Sequence, residues 1–182
     1  ATKDIEIKTL PCRVEKLELV APDVMIIFLR LPATQRLQFL AGQYIDILLK
    51  DGKRRSFSIA NAPHDDEFLQ LHARNYPGGA FTEHVFTTMK VKDMLRFRGP
   101  LGSFFLRDAS EDVPIIFLAS GTGFAPIKSI LEHVFFHEKK RGSKRKMILY
   151  WGARAKVDLY LNDLPQHWQR EHDKRDRHQE FV

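Results

Sequence analysis

Through residues 6 to 108 the hydrophobic positions come in short runs separated by turn residues, the pattern of strands rather than helices. Val14 to Val20 and Val24 to Leu31 flank Ala21-Pro22-Asp23, whose proline and aspartate suit a tight connection. Gln43 to Leu49 is a third run, ended by the hairpin signal Asp51-Gly52, which leads straight into Arg54 to Asn61. In Phe68 to Arg74, Leu69 and Leu71 alternate against polar neighbours. Tyr76-Pro77-Gly78-Gly79-Ala80-Phe81-Thr82 interrupts the pattern and opens a short helical segment through Met89. Met94 to Arg98 and the punctuated stretch Gly99 to Phe105 follow. Strands this short and this regular predict an antiparallel β-barrel, closed or nearly so, over residues 1–109.

Around residue 110 the pattern changes. Ala109-Ser110-Glu111-Asp112 is polar and linker-like, and Val113 to Ala119 is an apolar run suited to a strand covered on both faces. Ser120-Gly121-Thr122-Gly123-Phe124-Ala125-Pro126 comes next, then a helical stretch to about Lys140 with Ile127, Ile130, Leu131, Val134 and Phe135 at helical spacing. Met147 to Trp151 reads as another buried strand, Leu159 to Arg170 contains a second helical stretch, and Glu180-Phe181-Val182 looks like the opening of a third strand. Strand, glycine turn and helix make half of a nucleotide-binding βαβ unit, so residues 110–182 are expected to form a parallel α/β domain.

Composition changes this picture little. The 182 residues contain no apolar run of membrane-spanning length, and the amino end lacks the pattern of a secretory signal. A single cysteine, Cys12, excludes an intrachain disulfide and suits a reducing, cytoplasmic setting; beside Pro11 and far from any basic cluster, it reads as structural. Much of the net charge of +6 lies in Lys139-Lys140-Arg141 and Lys144-Arg145-Lys146, where cations complement a helix C-terminus and need no nucleic-acid partner. His133 and His137 are four apart on a helix, but no third ligand is placed by sequence and Phe135-Phe136 suggests a packed face, so no metal is expected. Ser58 and Ser120 have no evident triad partner.

The candidate chemistry starts at Arg55-Ser56-Phe57-Ser58. A flat, anionic redox cofactor needs a cation for its phosphate, an aromatic face for its ring and a small hydroxyl near the atom that receives a hydride. Arg55, Phe57 and Ser58 supply these in one extended segment. Two glycines before Thr82 allow backbone amides to approach a ligand at a helix start. In an open α/β sheet, ligands sit beyond the carboxyl ends of the strands, which puts Thr122, Gly152 and Arg154 on the ligand edge.

Five elements in this order resemble the ferredoxin-NADP reductase-like flavoproteins: Arg55-Ser56-Phe57-Ser58, Gly79-Ala80-Phe81-Thr82, Gly99 to Gly102, Gly121 to Pro126, and Gly152 to Arg154. Within that family the run is most similar to the reductase components of bacterial electron-transfer systems, including CDP-6-deoxy-glucoseen reductases and oxygenase reductases. The resemblance implies an FAD-binding barrel followed by a nicotinamide-nucleotide domain. By that likeness Arg55 and Ser56 lie at the FAD phosphate, Phe57 stacks on the isoalloxazine, and Ser58 lies near N5. His72, Ala73 and Arg74 contact the flavin partly through backbone, and Gly79, Ala80, Phe81 and Thr82 lie at the pyrophosphate. Gly121, Thr122 and Gly123, with Gly152 and Arg154, meet NADH or NADPH. Ser58 and Thr122 are the expected catalytic hydroxyls. Phe57 stands where the family often has tyrosine, without the hydroxyl that reaches the ribityl chain.

The family's nucleotide domain continues with a Cys-Gly segment near the nicotinamide and often ends in an aromatic that covers the flavin. The expectation is therefore a C-terminally incomplete nucleotide domain, with slow or no flavin reduction by the chain as given. A plant-type [2Fe-2S] cluster would need a further domain, since four cysteines are required. The expected function is hydride transfer from NADH or NADPH to FAD, then single-electron release to an iron-sulfur domain or protein. Arg154 and Lys156 leave the choice between the two nucleotides open. A non-catalytic or regulatory flavin-binding module is the alternative; a nucleic-acid binder would demand steep salt dependence.

Overall fold

The computed structural model describes residues 5–107, 113–141 and 145–177. The expected linker at 109–112, with the boundary between the two expected domains, and the expected strand at 180–182 lie outside the described residues. Six antiparallel strands come first: β1 (Lys8–Ala21), β2 (Val24–Arg30), β3 (Tyr44–Leu48), β4 (Arg54–Ser58), β5 (Leu69–Arg74) and β6 (Met94–Leu101). A short helix, α1 (Ala80–Thr87), lies between β5 and β6. Alternation decides the inner face: Leu10, Cys12 and Val14 of β1, Ile45 and Ile47 of β3, and Leu69, Leu71 and Ala73 of β5 point into one core with Phe97. Cys12 is fully buried there, and desolvation pushes its thiol pKa up to about 12, which keeps it an inert packing group.

The strands do not close into the expected barrel. The hydrogen-bonded order is β4-β3-β6-β1-β2-β5, so β4 and β5 are edges. Between them runs a single isolated bridge, Ile59 to Leu71. The reason is local. Past Ser58 the Ile59 amide turns to the Gln43 carbonyl (3.0 Å), the Ala60 amide donates to Gln70 (2.8 Å), and the Asn61 side-chain oxygen accepts from the Gln70 amide (2.8 Å). Asn61, fully buried, thus ends the ladder after one step. The sheet stays open between Arg55–Ser58 and His72–Arg74.

The second lobe has two parallel strands, β7 (Ile115–Ser120) and β8 (Met147–Gly152), with α2 (Phe124–Arg141) and α3 (Asp163–Arg177). A single 3-10 turn, Gly121–Gly123, joins β7 to α2, and another, Lys156–Asp158, follows β8. Phe117 packs with Ile127, Ile130, Leu131 and Val134 of α2. The sequence pattern suggested a strand covered on both faces, yet Ile116, Leu118 and Tyr150 are exposed on the opposite face. Both described helices meet on one side, through Trp168 of α3 against Phe124 and Phe135 of α2. The expected solvated basic run also differs at Arg145, which is buried, its amide donating to Glu138 Oε1 at 2.8 Å.

The lobes touch through specific contacts. Ser129 Oγ donates to the Asn61 carbonyl (2.7 Å), and Lys128 Nζ donates to the Ala60 carbonyl (3.3 Å) and to Glu132 Oε2 (3.0 Å). Lys128 is itself buried, so losing Glu132 would leave a charge without its counter-ion, a strongly destabilising change. These bonds dock α2 on the segment that follows β4. Hence the glycine turn at the start of α2 faces the gap in the sheet.

Candidate functional site

A cavity of about 490 Å³ opens at that gap. One wall is β4, with Arg55, Ser56, Phe57 and Ser58. The facing wall is β5 with His72 and Arg74, and the loop into α1 adds Tyr76, Gly79 and Thr82. Thr122, Gly123 and Ala125 line it from the second lobe. Residues from four separate stretches, predicted from sequence as parts of one site, therefore face one cavity. Others do not line it. Ala73 is in the core, and Phe81 is buried behind Phe57, their rings 5.4 Å apart and tilted by 56°. Ala80 begins α1, Gly121 is the buried first residue of its turn, Gly152 ends β8 and Arg154 lies just beyond it.

Local geometry explains how each group is presented. Arg55 donates from Nη1 to its neighbour's carbonyl, at Arg54 (2.8 Å), and keeps the rest of its guanidinium outside the sheet ladder. Ser56 Oγ donates to Asp46 Oδ1 across the β3–β4 pair at 2.6 Å, so this hydroxyl is engaged in the sheet. Thr82 Oγ1 donates to the Gly79 carbonyl at 3.0 Å, and a Cβ on Gly79 would come within 2.5 Å of that oxygen. A larger residue there would force the Thr82 side chain to shift. At Gly123 a Cβ would meet nothing within 4 Å, which leaves backbone open to the cavity.

Behind the front wall lies a polar layer in which Arg74, Gly121 and Arg154 were expected from sequence and their partners were not. Arg74 reaches Asp23 (Nε to Oδ2 3.2 Å) and Asp158 (Nη2 to Oδ1 3.8 Å), linking the β1–β2 turn to the second lobe. Those two nitrogens sit at ion-pair distance but off hydrogen-bond geometry. Asp158 Oδ2 also accepts from the Ala155 amide (3.2 Å), and Nε of exposed Arg154 stands 3.8 Å from the same oxygen. Gly121, at φ +50°, passes directly under Arg74: a Cβ there would meet Nη1 at 3.1 Å. Trp151 Nε1 donates to the Gly121 carbonyl at 3.0 Å, tying β8 to the glycine turn. Tyr76 had a signal, as the aromatic residue opening the Pro77-Gly78-Gly79 turn. Asp23, Trp151, Asp158 and Tyr160 had none, because each meets its partner across a long sequence separation.

His72 is buried, with Nδ1 2.7 Å from the Tyr160 hydroxyl. Burial, with a smaller contribution from the charge of Lys128, lowers its pKa to about 3. A histidine held neutral in the folded state has an unfolded-state counterpart that takes up a proton near pH 6.5. Its stabilisation is therefore complete above that pH and is lost as pH falls from 6.5 towards 3. The expected outcome is an unfolding free energy in urea that drops between pH 7 and pH 5 more steeply for the parent than for His72→Gln, by at most about 1.4 kcal/mol per pH unit. Parallel curves would show that His72 protonates freely in the fold. His133, also kept neutral by burial first and then by His137 and His64, is lowered to about 4 and adds equally to both curves.

The His133 and His137 rings stand 4.3 Å apart, edge on. Among the described residues no group of three or more His, Cys, Asp or Glu is arranged to hold a metal, and no helix is long and apolar enough to cross a membrane.

The family model of the oxidoreductase FAD-binding domain matches residues 11–106, and that of the oxidoreductase NAD-binding domain matches residues 117–181. The CDP-6-deoxy-L-threo-D-glycero-4-hexulose-3-dehydrase reductase of Yersinia pseudotuberculosis is 42% identical over 168 residues, 92% of this chain and 49% of that protein. The reductase component 1 of terephthalate 1,2-dioxygenase from Comamonas sp is 43% identical over 152 residues, 84% of this chain and 44% of that protein. Among solved structures, the Amycolatopsis cytochrome P450 reductase GcoB superposes with a TM-score of 0.79 at 29% identity, over 91% of this chain and 51% of that one. The chain spans about half the length of the curated relatives it matches.

Proposed function

The chain belongs to the oxidoreductase family that joins an FAD-binding domain to an NAD-binding domain, and from that premise we propose that it is the flavin- and nucleotide-binding part of an NAD(P)H reductase. Electrons pass from NADH or NADPH through FAD to an iron-sulfur domain or protein. The single observation that carries this reading is the shared cavity: β4, β5, the loop into α1 and the glycine turn before α2 all face it. Reductase components among the relatives support it, as does the charge of the cavity wall, where Arg55 and Arg74 are the ionic side chains.

The residues present fit FAD. Arg55 offers a guanidinium that bonds a neighbouring carbonyl, Phe57 offers a ring backed by Phe81, and His72 brings a buried ring nitrogen without a partner among the described residues. When bound, FAD supplies the two-electron acceptor for hydride and the one-electron donor to the next centre. The protein's part is to hold and orient. We assign Arg55 to the phosphates, with Ser56 beside it on β4. Phe57 covers one face of the ring, and Ser58 presents its hydroxyl at the reacting edge. The β5 backbone at His72, Ala73 and Arg74 lies along the flavin's polar edge, with Gly79, Ala80, Phe81 and Thr82 forming the pyrophosphate turn. On the nucleotide side Gly121, Thr122 and Gly123 stand at the start of α2, where backbone amides favour anions, while Gly152 and Arg154 extend the ligand edge. Thr122 faces both ligands. Holding two planar rings within about 3 to 3.5 Å is the chief contribution such a scaffold makes.

The two domains are assigned to residues 1–109 and 110–182, and a cytoplasmic setting accords with a lone, buried cysteine. Anaerobic mixing of the FAD-loaded protein with NADH or NADPH tests the activity. Bleaching of the flavin absorbance in the full-length protein is the expected result; a yellow spectrum that persists there at saturating nucleotide would make this a flavin-binding module instead.

A further inference from the structure

On β5 the side chains of Leu71 and Ala73 enter the core, so His72 faces the opposite way, towards the second lobe. There it meets Tyr160 edge on, the ring centroids 5.3 Å apart. Tyr160 is held in turn by Trp151 (5.3 Å, 88°) and by Phe124, which stacks on Trp151 at 3.9 Å. Because Trp151 also binds the Gly121 carbonyl, the Tyr160 hydroxyl is set by the same packing that sets the glycine turn.

The His72 to Tyr160 bond has a direction. A phenol is a far stronger acid than a neutral imidazole, and an unprotonated imidazole nitrogen is a far better acceptor than a phenol oxygen. At 2.7 Å the hydroxyl therefore donates and Nδ1 accepts. With the ring neutral, its one proton sits on Nε2. That atom is buried and has no hydrogen-bond partner among the described residues. A buried N–H without an acceptor is a cost the fold would shed unless a ligand supplies the missing atom. His72 is one of the residues lining the cavity, so a ligand held there is the nearest candidate to supply the acceptor once it packs against this ring.

We propose that the Nε2–H of His72 donates a hydrogen bond to a carbonyl oxygen or unprotonated ring nitrogen of the planar redox ligand in this cavity, with Tyr160 as the positioning residue that holds the proton on Nε2. The proposal rests on the functional reading above and adds to it a side-chain contact, besides the strand backbone, from β5. Flavin and the nicotinamide carboxamide both carry such acceptors, and they are separated by experiment.

Two substitutions at His72 divide hydrogen bonding from packing. His72→Gln keeps a terminal N–H group near the position of Nε2, and His72→Leu removes it. For each variant, FAD affinity and the flavin midpoint potential are measured without nucleotide, and then the affinity of the FAD-loaded protein for NAD⁺ and NADP⁺. His72→Leu should weaken one of these ligands about tenfold, with His72→Gln within about threefold of the parent. Weaker FAD binding together with a displaced potential places the acceptor on the flavin; an unchanged flavin with weaker nucleotide binding places it on the carboxamide. Tyr160→Phe removes one oxygen while keeping the packing, and should weaken the same ligand severalfold. Parental affinity for both ligands in His72→Leu, or equal losses in the Leu and Gln variants, overturns the proposal. Parental affinity in Tyr160→Phe overturns the proton assignment. Failure of the parent itself to bind FAD would instead overturn the functional reading on which the proposal stands.

Discussion

Replacing Arg55 with alanine should weaken FAD binding by about ten- to a hundredfold while leaving the six-stranded sheet folded. Arg55 lies on β4, an edge strand, so its backbone pairing with Ile47 of β3 survives loss of the side chain. It is not a core residue, and its recorded hydrogen bond is to the adjacent Arg54 carbonyl. What the substitution removes is a charge-assisted contact to a phosphate, worth about 1.5 to 3 kcal/mol. Arg55→Lys should recover part of this, because a lysine supplies the charge without the planar fork. Fluorescence titration of the apoprotein with FAD measures both. Equal affinity in the alanine variant and the parent would remove Arg55 from the site.

The second large effect concerns stability. Gly42→Ala should destabilise the protein by on the order of 3 kcal/mol, seen as a fall in Tm of roughly 6 to 12 °C. Gly42 has φ +100°, where a side chain is strained, and a Cβ would lie 2.3 Å from the Phe104 carbonyl oxygen and 3.0 Å from Ile130 Cδ1. The oxygen is backbone and cannot rotate away, so strain and overlap add. The turn also carries Ala41, which packs with Ile127 and Ile130 of α2. Displacing it therefore moves α2, and with it the glycine turn at the cavity. An unfolding free energy within about 0.5 kcal/mol of the parent would show that the Phe104 segment yields without cost.

Most strands were legible because local pattern and tertiary environment agree. Val24 to Leu31 read as a strand from an apolar run bounded by a turn and Phe68 to Arg74 from alternation, and they form β2 and β5 within a residue of each expected end. The hairpin at Asp51-Gly52 was legible for a chemical reason: Gly52 adopts φ +79°, and Asp51 Oδ1 accepts from the Lys53 amide. The cavity wall was legible where several of its lining groups are adjacent in sequence, as in Arg55 to Ser58. It was not legible where one buried atom meets another across the lobes. Nothing in Leu159-Tyr160-Leu161 distinguishes Tyr160 from an ordinary apolar-face aromatic. Its hydroxyl matters only because His72 lies 2.7 Å away, 88 residues earlier in the chain.

By itself, then, the sequence determined most of the described strands and helices and the order along the chain of the motifs that line the cavity. Each of these follows from interactions within a few residues: side-chain alternation, helical spacing, turn chemistry. Only the tertiary structure decided that the sheet stays open between β4 and β5. That outcome hangs on one buried asparagine, whose side-chain oxygen takes the Gln70 amide that a continuing strand would have bonded. Short, evenly spaced strands are equally compatible with a closed and an open sheet, because closure is fixed by pairing between edges far apart in the chain. The same holds for the proton on His72. Its residue type is written in the sequence, but its charge and tautomer are set by burial, by Lys128 and by the hydroxyl of Tyr160, all of which arrive by folding.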